Sequence, residues 1–178
     1  MKKILVVIDI QNDFVDGALG TKEAAGMIPA AAEKIRSFDG EIFATLDTHY
    51  DNYMQTAEGK KLPVPHCIKG TPGHSLNPSV AEALSGKSCT YVEKNTFGSV
   101  ELPDLVRKTA GNGEFSIEMI GLCTDICVIS NALLLKAHFP EIPMTVDASC
   151  CAGVTPELHK AALAAMKSCQ IDITNELY

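Results

Sequence analysis

Cys123 and Cys127 stand four positions apart in GLCTDICVIS, residues 121–130, with Thr124 and Asp125 between them. A thiol attacks as thiolate, so a cysteine that does chemistry needs a lowered pKa. Unpaired amides and the dipole at a helix start provide that. If Thr124 caps a helix, Cys127 is its third residue. Asp125 opposes thiolate formation, so a neighbouring cation is needed, together with a carboxylate to carry the proton. Lys94, in VEKNTFGS, and Asp9, in VVIDIQNDF, supply the two. Spacing alone leaves open which cysteine attacks. A second group, Asp47, His49, Glu58 and His66, places two imidazoles and two carboxylates in one stretch of chain. That mixed nitrogen and oxygen set suits zinc, iron or manganese better than magnesium.

These residues need a scaffold, and the hydropathy pattern predicts one. Apolar runs at 3–9, 41–47, 88–94, 115–121 and 142–147 read as strands, with a short last one at 171–174. Helical stretches fall at 22–38, interrupted by Pro29, and at 77–84, 101–110, 124–138 and 155–168. The stretch 48–76, rich in proline and glycine, reads as irregular; a loop of that length usually has a function. Fully apolar strands separated by helices predict an α/β fold, an open and mostly parallel sheet of five to six strands with helices on both faces. One domain over residues 1–178 is expected. Ligands of such sheets bind beyond the carboxyl ends of the strands. Asp9, then Asp47 with His49, then Lys94, then the cysteines follow the first four strands, all on that rim.

Bulk composition narrows the partners. The net charge is −7, from 22 acidic and 15 basic residues, which argues against nucleic acid or an anionic membrane as partner. The opening MKKILVVIDIQNDF is too short an apolar run to span a bilayer, and Asp9, Asp13 and Asp16 break it up. It reads as a strand rather than a leader, and a cytoplasmic location is expected. The seven cysteines contain no C-x2-C pair, so reduced thiols, most of them small buried hydrophobes, are expected. No G-x-G-x-x-G follows the first strand, which counts against a dinucleotide-binding module.

VVIDIQNDF, VEKNTFGS and GLCTDICV, in that order, resemble the three signature segments of the isochorismatase-like cysteine hydrolases, the family that contains the nicotinamidases. The resemblance implies a catalytic triad of Asp9, Lys94 and Cys127, with a cis peptide at Leu122–Cys123. It also implies an oxyanion hole built from the backbone amides of Cys123 and Cys127. LDTH followed by PHCIKGTPG resembles the family's metal loop. That implies one divalent transition metal, zinc first with iron or manganese as alternatives, on Asp47, His49 and His66, with Glu58 as the further acid. Phe14 matches one wall of the substrate pocket, with Phe97 and Leu122 beside it. His138 and His159 read as ordinary helix residues. One departure stands out: the aromatic that the family usually carries three residues before the second metal histidine is Pro63, and the chain has no tryptophan. The implied activity is deamidation of nicotinamide, or a similar small amide, to the acid and ammonia through a thioester. Two alternatives stay open, a relative hydrolysing another carboxamide or N-carbamoyl compound and a non-catalytic small-molecule-binding protein. Homo-oligomer formation is open as well.

Overall fold

The computed structural model describes residues 1–176. The chain runs β1 (Lys2–Ile8), α1 (Asn12–Val15), α2 (Lys22–Ser37), β2 (Glu41–Asp47), α3 (Ala57–Lys61), α4 (Pro78–Leu84) and β3 (Cys89–Lys94). It continues through α5 (Leu102–Ala110), β4 (Phe115–Leu122), a π turn (Thr124–Val128), α6 (Ile129–His138), β5 (Met144–Ala152), α7 (Pro156–Ser168) and β6 (Asp172–Thr174). All strand pairs are parallel, in the order β3-β2-β1-β4-β5-β6.

β1 shows why the strands read as unbroken apolar runs. From Ile4 to Ile8 every residue is buried, because the strand lies mid-sheet with helices on both faces. Ile4, Val6 and Ile8 join one core with Val106 of α5, Leu135 of α6 and Leu163 of α7. Leu5 and Val7 point the other way, into a core with Ile35 of α2 and Val80 of α4. The strand order reverses between β1 and β4, which opens a crevice beyond their carboxyl ends. At that point the two strands nearly touch. Gly121 has φ 129°, and a Cβ there would lie 2.0 Å from the Ile8 carbonyl oxygen.

Several boundaries differ from the sequence reading. Asp9 is not in β1; its φ of 49° turns the chain and aims the carboxylate across the strand ends. Pro29 does not split α2, because it lies on the exposed face beside exposed Ala25, where a missing helical hydrogen bond leaves nothing buried unpaired. Residues 48–76 hold α3 and two 3₁₀ turns, Tyr53–Gln55 and Pro72–His74; the bridge His49–Ile68 closes the segment on itself and Gln11–Leu76 ties it to the chain after β1.

β5 extends to Ala152, well past the expected end at Asp147. The register against β4 shifts between Met119 and Gly121, so the strand bulges and then resumes pairing. Asp147 organises the bulge. One carboxylate oxygen accepts from Ser149 N (3.1 Å) and Ser149 Oγ (2.7 Å). The other meets Lys34 Nζ (2.9 Å) and Asn175 Nδ2 (2.9 Å). Burial alone would raise this carboxyl's pKa, but bonds from Lys34, Ser149 and Asn175 hold it below the ordinary value of 3.8. A depressed pKa stabilises the fold fully above the unfolded value and loses that contribution as pH falls through the folded one. Asp147→Asn should therefore cost about 1–3 kcal/mol by denaturant titration at neutral pH, with the gap to wild type narrowing below pH of about 4. Equal stability of the two proteins at neutral pH would contradict this role.

Candidate active site

Two strand ends, those of β1 and β3, and the turn after β4 bring the expected triad together. Lys94 Nζ lies 2.6 Å from Asp9 Oδ2 and 3.5 Å from Cys127 Sγ. Asp9 and Lys94 are buried, and Cys127 is only 4% exposed. The second Asp9 oxygen accepts from Thr45 Oγ1 at 2.6 Å. The expected cis peptide is present at Leu122–Cys123, with Leu122 fully buried. Cys127 does not start an ordinary helix. Cys123 is the cap residue, and its carbonyl accepts from the amides of Ile126 (3.0 Å) and Val128 (3.1 Å), closing a π turn.

That geometry reverses one electrostatic expectation. Burial and the charge of Asp9 push the Cys127 thiol well above its ordinary pKa, and Lys94 only partly opposes them. Burial likewise raises Asp9 against the pull of Lys94. Burial disfavours the Lys94 ammonium, yet Asp9, Cys127 and Asp47 together hold it protonated. Desolvation was invisible at the sequence level, where only the helix start and the cation could be weighed. Thiol and carboxyl are both displaced towards their protonated forms, so the two buried groups compete for protons beside the Lys94 charge.

The metal-type residues form a second buried cluster that touches the first. Ligand atoms of Asp47, His49 and His66 all lie within 4.8 Å of one another. Asp47 Oδ2 is 3.0 Å from His49 Nε2 and 3.5 Å from His66 Nε2. Asp47 Oδ1 is 3.4 Å from Lys94 Nζ. Burial would raise the Asp47 pKa, but bonds to His49 and His66 and the Lys94 charge hold it well below the carboxylate range. His66 Nδ1 pairs with the Val64 carbonyl at 2.8 Å, which fixes the tautomer and leaves Nε2 as a lone-pair donor. His49 Nε2 is buried and faces the Asp47 carboxylate. Two imidazole nitrogens and a carboxylate converging in one buried spot fit a divalent transition metal. Glu58 comes to this cluster from α3, with Oε1 3.8 Å from His49 Nε2 and 3.6 Å from His66 Nε2. His74 stays outside it and bonds Thr48 Oγ1 at 2.9 Å.

The sequence reading missed the residues that hold these groups. Gln11 spans to β2, its Oε1 accepting from Asp47 N (2.7 Å) and its Nε2 donating to the Asp47 carbonyl (2.9 Å). Tyr53 packs edge-on against His49 and His66, with centroids 4.8 and 5.1 Å away. Asp13 accepts from Cys67 N at 2.8 Å and so ties α1 to the metal loop. Asn131 Nδ2 donates to the Cys127 carbonyl at 2.8 Å, while its Oδ1 accepts from Ser99 N at 2.9 Å. Gln11 and Asp13 lay inside the quoted segment VVIDIQNDF, whereas Tyr53 and Asn131 are single residues outside every quoted motif.

The isochorismatase-domain family model matches residues 3–176. The chain belongs to the isochorismatase family. It is 31% identical over 175 residues to the isochorismatase-family protein PncA of Bacillus subtilis strain 168, covering 92% of this chain and 93% of that one. Its fold superposes on a crystal structure of the nicotinamidase/pyrazinamidase PncA from Bacillus subtilis with TM-score 0.84, at 26% identity over 97% of this chain and 99% of that one. The pyrazinamidase of Pyrococcus horikoshii in complex with zinc gives TM-score 0.82 at 25% identity, covering 99% of this chain and 100% of that one.

In open α/β sheets ligands bind beyond the carboxyl edge of the strands. A cavity of about 650 Å³ lies there, lined by His49, Tyr53, Glu58, Leu62, Asn95 and Phe97 among others. Phe97 is 47% exposed on its rim, whereas Phe14 is buried with its ring 5.4 Å from that of His66. Pro63 is exposed, so Tyr53, Leu62 and Phe97 supply the apolar walls. No helix among the described residues is long and apolar enough to cross a membrane.

Protein purified without chelator should carry one divalent transition metal per chain by elemental analysis. His49→Ala should abolish the binding, and Glu58→Ala should weaken it by about 10–100-fold, as loss of a supporting group does. Metal retained at full stoichiometry in His49→Ala would remove this cluster as the site.

Proposed function

We propose that this protein is a cysteine amidohydrolase that deamidates nicotinamide, or a closely similar small aryl amide, to the carboxylic acid and ammonia. The carrying observation is the buried contact set in which Lys94 touches Asp9, Cys127 and Asp47 at once. Cys127 gives its proton to Asp9, and the sulfur attacks the amide carbonyl carbon. The backbone amides of Cys123 and Cys127 receive the oxyanion, a contribution of about 3–4 kcal/mol per donor. Asp9 then protonates the amide nitrogen, the C–N bond breaks, and ammonia leaves a thioester on Cys127. A water molecule gives a proton to Asp9 and attacks the thioester; the sulfur leaves and takes the proton back. Lys94 stays protonated throughout and balances whichever of Asp9 and Cys127 carries charge. Asp47, His49 and His66, with Glu58, would hold a zinc, iron or manganese ion, whose Lewis acidity would fix a ring nitrogen or polarise water beside the reacting carbonyl. Phe14, Phe97 and Leu122 would flank the ring. The seven free cysteines fit a reducing compartment such as the cytoplasm.

One observation favours a second reading within the same chemistry. Exposed Pro63 and a cavity of about 650 Å³ leave more room than a single pyridine ring needs. Hydrolysis of another carboxamide or an N-carbamoyl compound would use the same thiol and the same proton carrier.

Ammonia release should be followed with nicotinamide, pyrazinamide and N-carbamoyl amino acids side by side. Nicotinamide should turn over to nicotinic acid, and Cys127→Ala should lower kcat by about 10⁴-fold or more. Cys123→Ala should stay within a few-fold of wild type, because only its backbone takes part. Turnover of carbamoyl compounds alone would move the protein to the second reading. Full activity in Cys127→Ala would refute both.

A further inference from the structure

The π turn that carries Cys127 is held from outside. It has no side-chain cap; its internal closure is backbone alone, from the Cys123 carbonyl at its start and from the Ile129 amide to the Thr124 and Ile126 carbonyls at its end. At one end Asn131 grips the Cys127 carbonyl. At the other, α7 reaches in. His159 Nδ1 lies 2.8 Å from Thr124 Oγ1, and Thr124, the first residue of the turn, is fully buried. Two further contacts fix the same junction. Val154 N donates to Asp125 Oδ1 at 2.9 Å. Gly153 is wedged so closely that a Cβ would meet both Asp125 Oδ1 and His159 N at 2.8 Å.

His159 is not simply filler. Its ring borders a second cavity of about 330 Å³, shared with Met27, Cys151, Lys160 and Leu163 among others. Truncating a half-buried side chain at a cavity wall removes little close packing. What truncation does remove is the hydrogen-bond partner of a buried hydroxyl in the nucleophile turn.

We infer that His159 is a positioning residue for the hydrolytic reaction, acting through Thr124 to set the direction of the Cys127 sulfur and of the adjacent amides. The inference rests on the proposed role of Cys127 as nucleophile. Thr124 is a structural relay here: it is the first residue of the turn rather than its cap, and its hydroxyl is paired with His159 of α7.

The test is a kinetic cycle on His159→Ala, Thr124→Val and the double variant, with His159→Asn as the conservative replacement and Cys127→Ala in parallel. Misplacement of a reacting group by about 1 Å costs roughly 100-fold. His159→Ala should therefore lose about 10–100-fold in kcat with KM within about threefold, and its melting temperature should stay near wild type. His159→Asn, whose amide can reach the hydroxyl, should recover most of the loss. The double variant should be no slower than the slower single variant, since both remove one interaction. Independent, multiplicative losses, a change confined to KM, or wild-type kcat in His159→Ala with Cys127→Ala inactive would overturn the positioning role alone. An active Cys127→Ala would overturn it together with the proposed function.

Discussion

A single buried ammonium governs the architecture of this site. Lys94 is 2% exposed at its side chain, yet it remains charged between Asp9, Asp47 and Cys127. An unpaired ion at that depth would cost several kcal/mol in lost hydration, so the carboxylates are a condition of its burial. The dependence is mutual, because Asp9 and Asp47 are themselves buried. Each partner comes from a different strand end, and β3, β2, β1 and β4 are neighbours in that order. The parallel sheet is what makes the ion cluster possible.

Through Lys94 the thiol side and the metal-ligand side become one electrostatic unit. Asp47 shares one oxygen with the histidines and the other with the lysine. A cation held by the histidines would meet a carboxylate already bound to the cation that balances the thiol. Burial raises the Cys127 thiol and the Asp9 carboxyl together, so their titrations are linked through the same buried contact set.

The strand-end residues were legible in the sequence because continuous apolar runs end sharply, and the first polar residue after each run must lie on the rim. Asp9, Asp47 and Lys94 were found this way, and the family motifs then chose Cys127 over Cys123. What escaped were interactions without local periodicity. The Gln11 brace pairs residues 36 positions apart, and the Tyr53 wall joins His49 and His66 only once the loop has folded. The continuation of β5 depends on a bulge around Asp147, whose polar neighbours look like a strand end. His159 read as an ordinary helix residue because its partner, Thr124, lies 35 positions away on the opposite side of β5 in the chain. The thiol pKa was misjudged for a related reason: burial is a property of the assembled fold, not of a spacing.

The most direct test of the account is the site of acylation during turnover. Enzyme mixed with nicotinamide, quenched in acid within the first turnovers and digested, should yield a nicotinoyl thioester on the peptide containing Cys127, removable by hydroxylamine. An acyl group on Cys123 or Cys151 instead, or steady ammonia release with no cysteine acylated at any quench time, would contradict it.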